Sequence, residues 1–136
     1  MAQLAKAEAR SEARTPGWVT AIVILGALLM VVGALLAVLR PAQLLAPGDV
    51  VTGGVRVYAG YLFSRNLALG LLLVVMLRLR AWGAMRGLMV LYAAVQFLDA
   101  IVDAIEGRWV IVPVIVVLGV LFAVGATRVP REVRVG

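Results

Sequence analysis

The stretch from Trp82 to Glu106 is the feature that most constrains what this chain can fold into. Counted from Tyr92, four polar residues recur at a spacing that keeps them on one face of an α-helix. They are Gln96, Asp99, Asp103 and Glu106. The rest of the stretch is apolar enough to face lipid, so the polar stripe must turn toward protein or water. The chain must therefore supply a partner for Asp99.

The chain as a whole is too apolar for a soluble domain. Of its 136 residues, 64% are hydrophobic and the mean hydropathy is +1.07, whereas about half is usual in soluble domains. Four long apolar stretches predict four membrane-spanning helices of about 20 residues each. Their ranges are 18–39, 57–77, 82–106 and 109–127. We predict an all-α fold, an antiparallel bundle of four transmembrane helices over 18–128, with polar segments at 1–17 and 129–136.

The basic residues are distributed unevenly between the two sides of this predicted bundle. Nine of them fall on the side that holds both termini, namely Lys6, Arg10, Arg14, Arg78, Arg80, Arg86, Arg128, Arg131 and Arg134. Three fall on the other side: Arg40, Arg56 and Arg108. The positive-inside rule then predicts a protein of the bacterial inner membrane with both termini in the cytoplasm. The formal charge of +6 is thus a topology signal in a lipid bilayer, and no nucleic-acid partner is expected.

The chain contains neither cysteine nor histidine. This composition excludes disulfides, thiolate catalysis and cysteine-ligated iron–sulfur clusters. It also removes the usual ligands of b-type haem, zinc and copper and the usual general base. We expect no metal site, and no cofactor is evident from the residues.

A partner for Asp99 is offered by Arg65, because an arginine at a helix centre costs about 2.5–3.5 kcal/mol on insertion scales. Measured from the basic turn 78–81, Arg65 lies about 18 Å and Asp99 about 26 Å into their helices. Side chains lean toward the N-terminus of their own helix, which brings these two together. We predict a buried ion pair, with Gln96 and Tyr61 completing its hydrogen bonds. A structural and a functional role for the pair both remain open.

The run Ser64–Gly70, the basic turn and an aspartate deep in the next helix, Asp99, resemble the DoxX-like small four-helix bacterial membrane proteins. The resemblance covers roughly 58–109 and is strongest to the branches of unknown function. It marks Arg65, Asn66, Gly70 and Asp99 as motif positions without a catalytic role. Better-known members are linked to quinone-coupled sulfur oxidation or to membrane accessory roles, so the resemblance implies a quinone or another lipid as a cofactor.

One hypothesis is a protein that binds a lipophilic molecule, or serves as an accessory subunit, without chemistry of its own. Its ligand-binding residues would be Tyr58, Asn66, Tyr92, Gln96 and Asp103. This hypothesis predicts a packed, dry contact within the ion pair. It also predicts an exposed face of small residues on the first or fourth helix, suited to a homo-oligomer or a partner subunit.

The alternative is an intramembrane enzyme of the isomerase, cyclase or epoxide hydrolase type. Asp99 would act as acid or base, Arg65 would stabilise negative charge, and Tyr61 or Tyr58 would donate a proton. This reaction requires an open pocket at these residues and at Tyr92 and Gln96. A proton-coupled transporter is disfavoured, because the cytoplasmic halves of the second and third stretches offer no polar path.

Overall fold

The computed structural model describes residues 15–45 and 48–130, and within these ranges it is all-helical, without a strand. In chain order the elements are α1 (Gly17–Leu39), a short 3-10 helix (Pro41–Leu44), α2 (Gly53–Leu79), α3 (Trp82–Ile105) and α4 (Val112–Arg128). The predictions for 1–14 and 131–136 fall outside the described residues.

The ends of α2 show why it is longer than the sequence suggested. The hydroxyl of Thr52 accepts a hydrogen bond from the backbone N–H of Val55 at 3.4 Å, so this threonine caps the helix. Gly53 and Gly54, which favour a turn by composition, therefore form the first turn of α2. At the other end Arg80 adopts a left-handed backbone conformation with φ of 52°, which ends the helix and forms the predicted basic turn.

The fourth helix begins later than predicted. Trp109 to Ile111 form a turn, and the helix starts at Val112 with Pro113 in its first turn, where a missing N–H is tolerated. The 17 residues of α4 span about 26 Å, slightly less than the hydrocarbon core of a bilayer. Three helices, α1, α2 and α3, are long and apolar enough to cross a membrane.

Small residues bring the helices together. The chief contacts join α1 to α2 and α3 to α4. A Cβ at Gly70 of α2 would stand 3.1 Å from the carbonyl oxygen of Ala27 in α1, so a glycine is needed for this close approach. The two pairs meet at Phe122 of α4, whose ring fills the space above Gly26 of α1.

The half of the molecule near the basic turn has a packed apolar core. Its fully buried side chains include Val19, Val23, Leu73, Met85, Met89 and Phe122. Elsewhere the helices expose leucine and valine to their surroundings, and each long helix buries at most 33% of its most apolar window. An apolar outer surface of this extent is expected of helices that face lipid.

Candidate functional site

A cavity of about 700 Å³ lies in the other half of the molecule, between all four helices. Its size falls in the range typical of sites for small organic ligands, roughly 300–1,000 Å³. Its walls are mainly apolar, with contributions from α1 and α4 that include Met30, Ile115 and Leu118. Polar side chains come mostly from α2 and α3: Tyr58, Arg65, Asn66, Tyr92, Gln96 and Asp99.

The predicted ion pair forms on the wall of this cavity. Arg65 Nη2 lies 3.0 Å from Asp99 Oδ2, and Nη1 lies 3.4 Å from Oδ1. The guanidinium also donates through Nε to Asn66 Oδ1 at 3.3 Å. All three guanidinium nitrogens thus have an acceptor, and both carboxylate oxygens have a donor. A bidentate contact of this kind fixes the relative orientation of the two charged groups.

The pair is not the dry, buried contact that the sequence predicted. The side chains of Arg65 and Asp99 are 42% and 35% exposed. The difference arises because an unfilled space, and not a packed side chain, lies beside them. The pair therefore remains accessible to whatever enters the cavity.

The inner end of the cavity holds a buried tyrosine. The Tyr92 ring stacks on Phe122 with 3.9 Å between the ring centroids and 17° between the planes. Its hydroxyl is buried and has no partner in hydrogen-bond geometry among the described residues, although Gln96 lies near it on the same face. Buried hydroxyls are normally hydrogen-bonded. Tyr92 thus holds an unsatisfied polar atom within the wall of a cavity that it lines.

The rim of the cavity carries charged residues at the end of α3 and in the loops. Arg108 Nη1 lies 3.2 Å from Asp103 Oδ1, so the two form an ion pair at the rim. Asp49 and Glu106 also line the rim. Acidic side chains outnumber basic ones here.

Tyr61, one of the two proton donors predicted for a reaction, does not line the cavity. Its side chain is 72% exposed, and the cavity is lined by Tyr58 and Leu62 on the same helix. Tyr61 and Tyr58 lie about 40° and 20° from Arg65, but on opposite sides of it. The cavity lies on the side of Tyr58, toward the buried Asn66.

The predicted exposed face of small residues is also wrong. On α1 and α4 most of the small residues are buried inside the protein: Gly26, Ala27, Ala34, Ala37, Gly119, Gly125 and Ala126. They serve contacts within the chain, such as that between Gly119 and the ring of Phe97, which lies 3.1 Å from the position of a Cβ.

Sequence reasoning missed the apolar walls. Met30 and Gly33 of α1 and Leu118 of α4 line the cavity but carry no polar signal. Gly33 contributes to the cavity by its small size. Its missing side chain leaves room beside the amide of Asn66, whose Nδ2 would stand 3.7 Å from a Cβ there.

Comparison with protein-family models, with curated proteins and with solved structures finds no match to this chain. The resemblance to the DoxX-like group therefore stays a prediction. Among the described residues, no group of three or more acidic side chains is placed to hold a metal ion.

Proposed function

We propose that this protein binds a lipophilic small molecule in the cavity between its helices. One observation supports the proposal above the others: a ligand-sized space with apolar walls contains a small, ordered polar cluster at the Arg65–Asp99 pair. Ligand sites commonly combine an apolar lining with a few placed polar groups. The apolar walls would hold the hydrocarbon part of the ligand, and the cluster would fix its orientation.

The proposal includes a membrane topology. Four helices would cross the bacterial inner membrane as an antiparallel bundle with both termini in the cytoplasm, as the nine-to-three distribution of basic residues favours. The basic turn 78–81 would then face the cytoplasm. The cavity would open toward the outer leaflet, from which a lipophilic molecule enters.

Different residues would contact different parts of the ligand. Asn66 accepts from Arg65 and thereby holds the guanidinium in line with Asp99. Tyr58 and Asp103 lie closer to the rim, where they would meet the polar part of a larger ligand. A quinone or another lipid, as the family resemblance implies, has the apolar character that these walls require.

The experiment fills the cavity with a bulky side chain and measures which small molecules stay bound to the protein. In Gly33→Phe the new ring would occupy the cavity, whereas in Gly87→Phe it would lie on the surface of α3, where a Cβ meets no atom within 4 Å. We expect mass spectrometry of organic extracts to find a molecule bound to the wild type and to Gly87→Phe but not to Gly33→Phe. Equal retention by all three proteins would refute the proposal.

An intramembrane enzyme is a second candidate, and the unfilled cavity beside Asp99 favours it. Asp99 would act as the base and Arg65 would stabilise negative charge, with Tyr58 replacing Tyr61 as the proton donor. Hydrolysis of a long-chain epoxide to its diol is a suitable assay. Turnover by the wild type that Asp99→Asn abolishes, with the epoxide still bound, would establish it. Binding without turnover would leave the protein as a binder.

A further inference from the structure

We propose that the inner end of the cavity binds the neutral, hydrogen-bonding head group of a long-chain alcohol, in preference to a carboxylate or an amine. This inference rests on the proposed function and specifies its ligand class. It follows from the state of the polar groups that a bound head group would meet.

The two charges on the wall of the cavity are already matched to each other. Arg65 is engaged through Nη1 and Nη2 by Asp99 and through Nε by Asn66. The pair as a whole carries no net charge, so a carboxylate bound at the guanidinium would also lie beside Asp99, and an amine bound at the carboxylate would also lie beside Arg65. In either case repulsion between like charges offsets the attraction. A neutral head group meets no such repulsion.

A neutral head group would provide a hydrogen-bond partner for the Tyr92 hydroxyl, which has none in the protein. The Tyr92 hydroxyl is buried without a hydrogen-bond partner, while its ring is held by stacking on Phe122. A hydroxyl both donates and accepts hydrogen bonds, and so does the side-chain amide of Gln96, which lines the cavity next to it. An alcohol can therefore hydrogen-bond to both side chains at once.

The walls determine where the hydrocarbon chain lies. Beyond Tyr92 and Gln96 the cavity is bounded by apolar side chains of α1 and α4, among them Leu29, Met30 and Leu118. With its hydroxyl at Tyr92, an alkyl chain would run along these walls.

The acidic residues at the rim of the cavity favour the opposite preference, for an amine. Asp49 and Glu106 line the rim together with the Asp103–Arg108 pair, and this excess of carboxylates would attract an amine. These groups lie in loops or at a helix end, and screening by water and salt weakens their effect. We therefore expect the inner polar groups to decide the preference.

The test compares three amphiphiles that differ only in their head group: dodecanol, dodecanoate and dodecylamine. Each is added to the protein in lipid nanodiscs, and bound ligand is counted by native mass spectrometry. The signal of Gly33→Phe is subtracted from that of the wild type to remove binding to the lipid. We expect dodecanol to bind at least about tenfold more tightly than either charged analogue, a difference of about 1.4 kcal/mol. A preference for dodecanoate or dodecylamine overturns the inference but leaves the proposed function standing.

Tyr92→Phe provides the second measurement. We expect it to weaken dodecanol binding roughly twofold to tenfold, as for the loss of one hydrogen bond, and to leave the binding of the charged analogues unchanged. Unchanged dodecanol binding would overturn the inference. Should Gly33→Phe fail to fold, the comparison of Tyr92→Phe with the wild type decides alone. If none of the three amphiphiles binds the wild type above the level seen with empty nanodiscs, the proposed function fails as well.

Discussion

At the scale of single residues, the position of Arg65 relative to Asp99 followed from helix geometry, and the environment of the pair did not. The rise per residue and the lean of side chains place two groups at one depth, and the 3.0 Å contact confirms that reasoning. Periodicity alone does not fix how far a helix is rotated about its axis. For this reason the sequence offers both Tyr61 and Tyr58 as proton donors, and only the structure shows that Tyr58 alone lines the cavity.

A double-mutant cycle tests the ion pair. We expect Arg65→Ala and Asp99→Ala each to lower the free energy of unfolding, because each leaves the remaining charge without its partner. The double variant should lose less than the sum of the two, with a coupling free energy on the order of 1–2 kcal/mol. The partial exposure of both side chains keeps this value below that of a fully buried pair. Additive losses in reversible unfolding experiments would show that the contact contributes nothing.

The unsatisfied hydroxyl of Tyr92 has a consequence for the stability of the empty protein. We expect Tyr92→Phe to be as stable as the wild type or more stable by up to about 1 kcal/mol, because it removes a buried polar atom without a partner. Tyr61→Phe, at an exposed position, is the control and should change nothing. Thermal unfolding of delipidated protein measures both variants, and a clear loss of stability in Tyr92→Phe alone would contradict the assignment.

At the scale of the helices, the apolar stretches predicted how many there are, and capping residues decided where they begin. Thr52 starts α2 before the glycines that suggested a loop, and the turn before Val112 delays α4. Both depend on local hydrogen bonds and dihedral angles, which hydropathy does not report. The helix contacts through Gly26 and Gly70 were likewise not predictable, since a glycine in an apolar run does not indicate which residue packs against it.

Gly26 gives the sharpest test of these contacts. A Cβ at this position would overlap the Phe122 ring, which has no room to move because it is buried and stacked on Tyr92. We expect Gly26→Ala to destabilise the protein by about 1–3 kcal/mol. Gly87→Ala on α3 is the matched control. It meets no atom within 4 Å and should stabilise the helix by up to about 1 kcal/mol. Equal unfolding temperatures for the two variants would show that the Phe122 contact is not tight.

At the scale of the whole molecule, the sequence predicted a helical membrane protein, and the structure shows three helices able to cross a membrane. The cavity was not predictable. Whether the space between helices is filled depends on how side-chain volumes add up across all of them, and no pattern within a single helix carries that information.

The proposed topology is open to a labelling experiment, since the chain has no cysteine of its own. Leu79→Cys and Val110→Cys introduce a thiol at exposed positions near opposite ends of the helices. In intact spheroplasts we expect a membrane-impermeant maleimide to label Val110→Cys, whereas Leu79→Cys should react only after lysis. The reverse pattern would place both termini outside and turn the cavity toward the cytoplasm.

The stack of Phe122 on Tyr92, with Met85 and Met89 packed beyond it, closes the cavity toward the basic turn. Under the proposed function, a ligand would therefore enter and leave at the opposite half of the molecule, a shape that would suit storage, sensing or hand-over on one side of the membrane. Transport across the membrane would require Phe122 and Tyr92 to move apart.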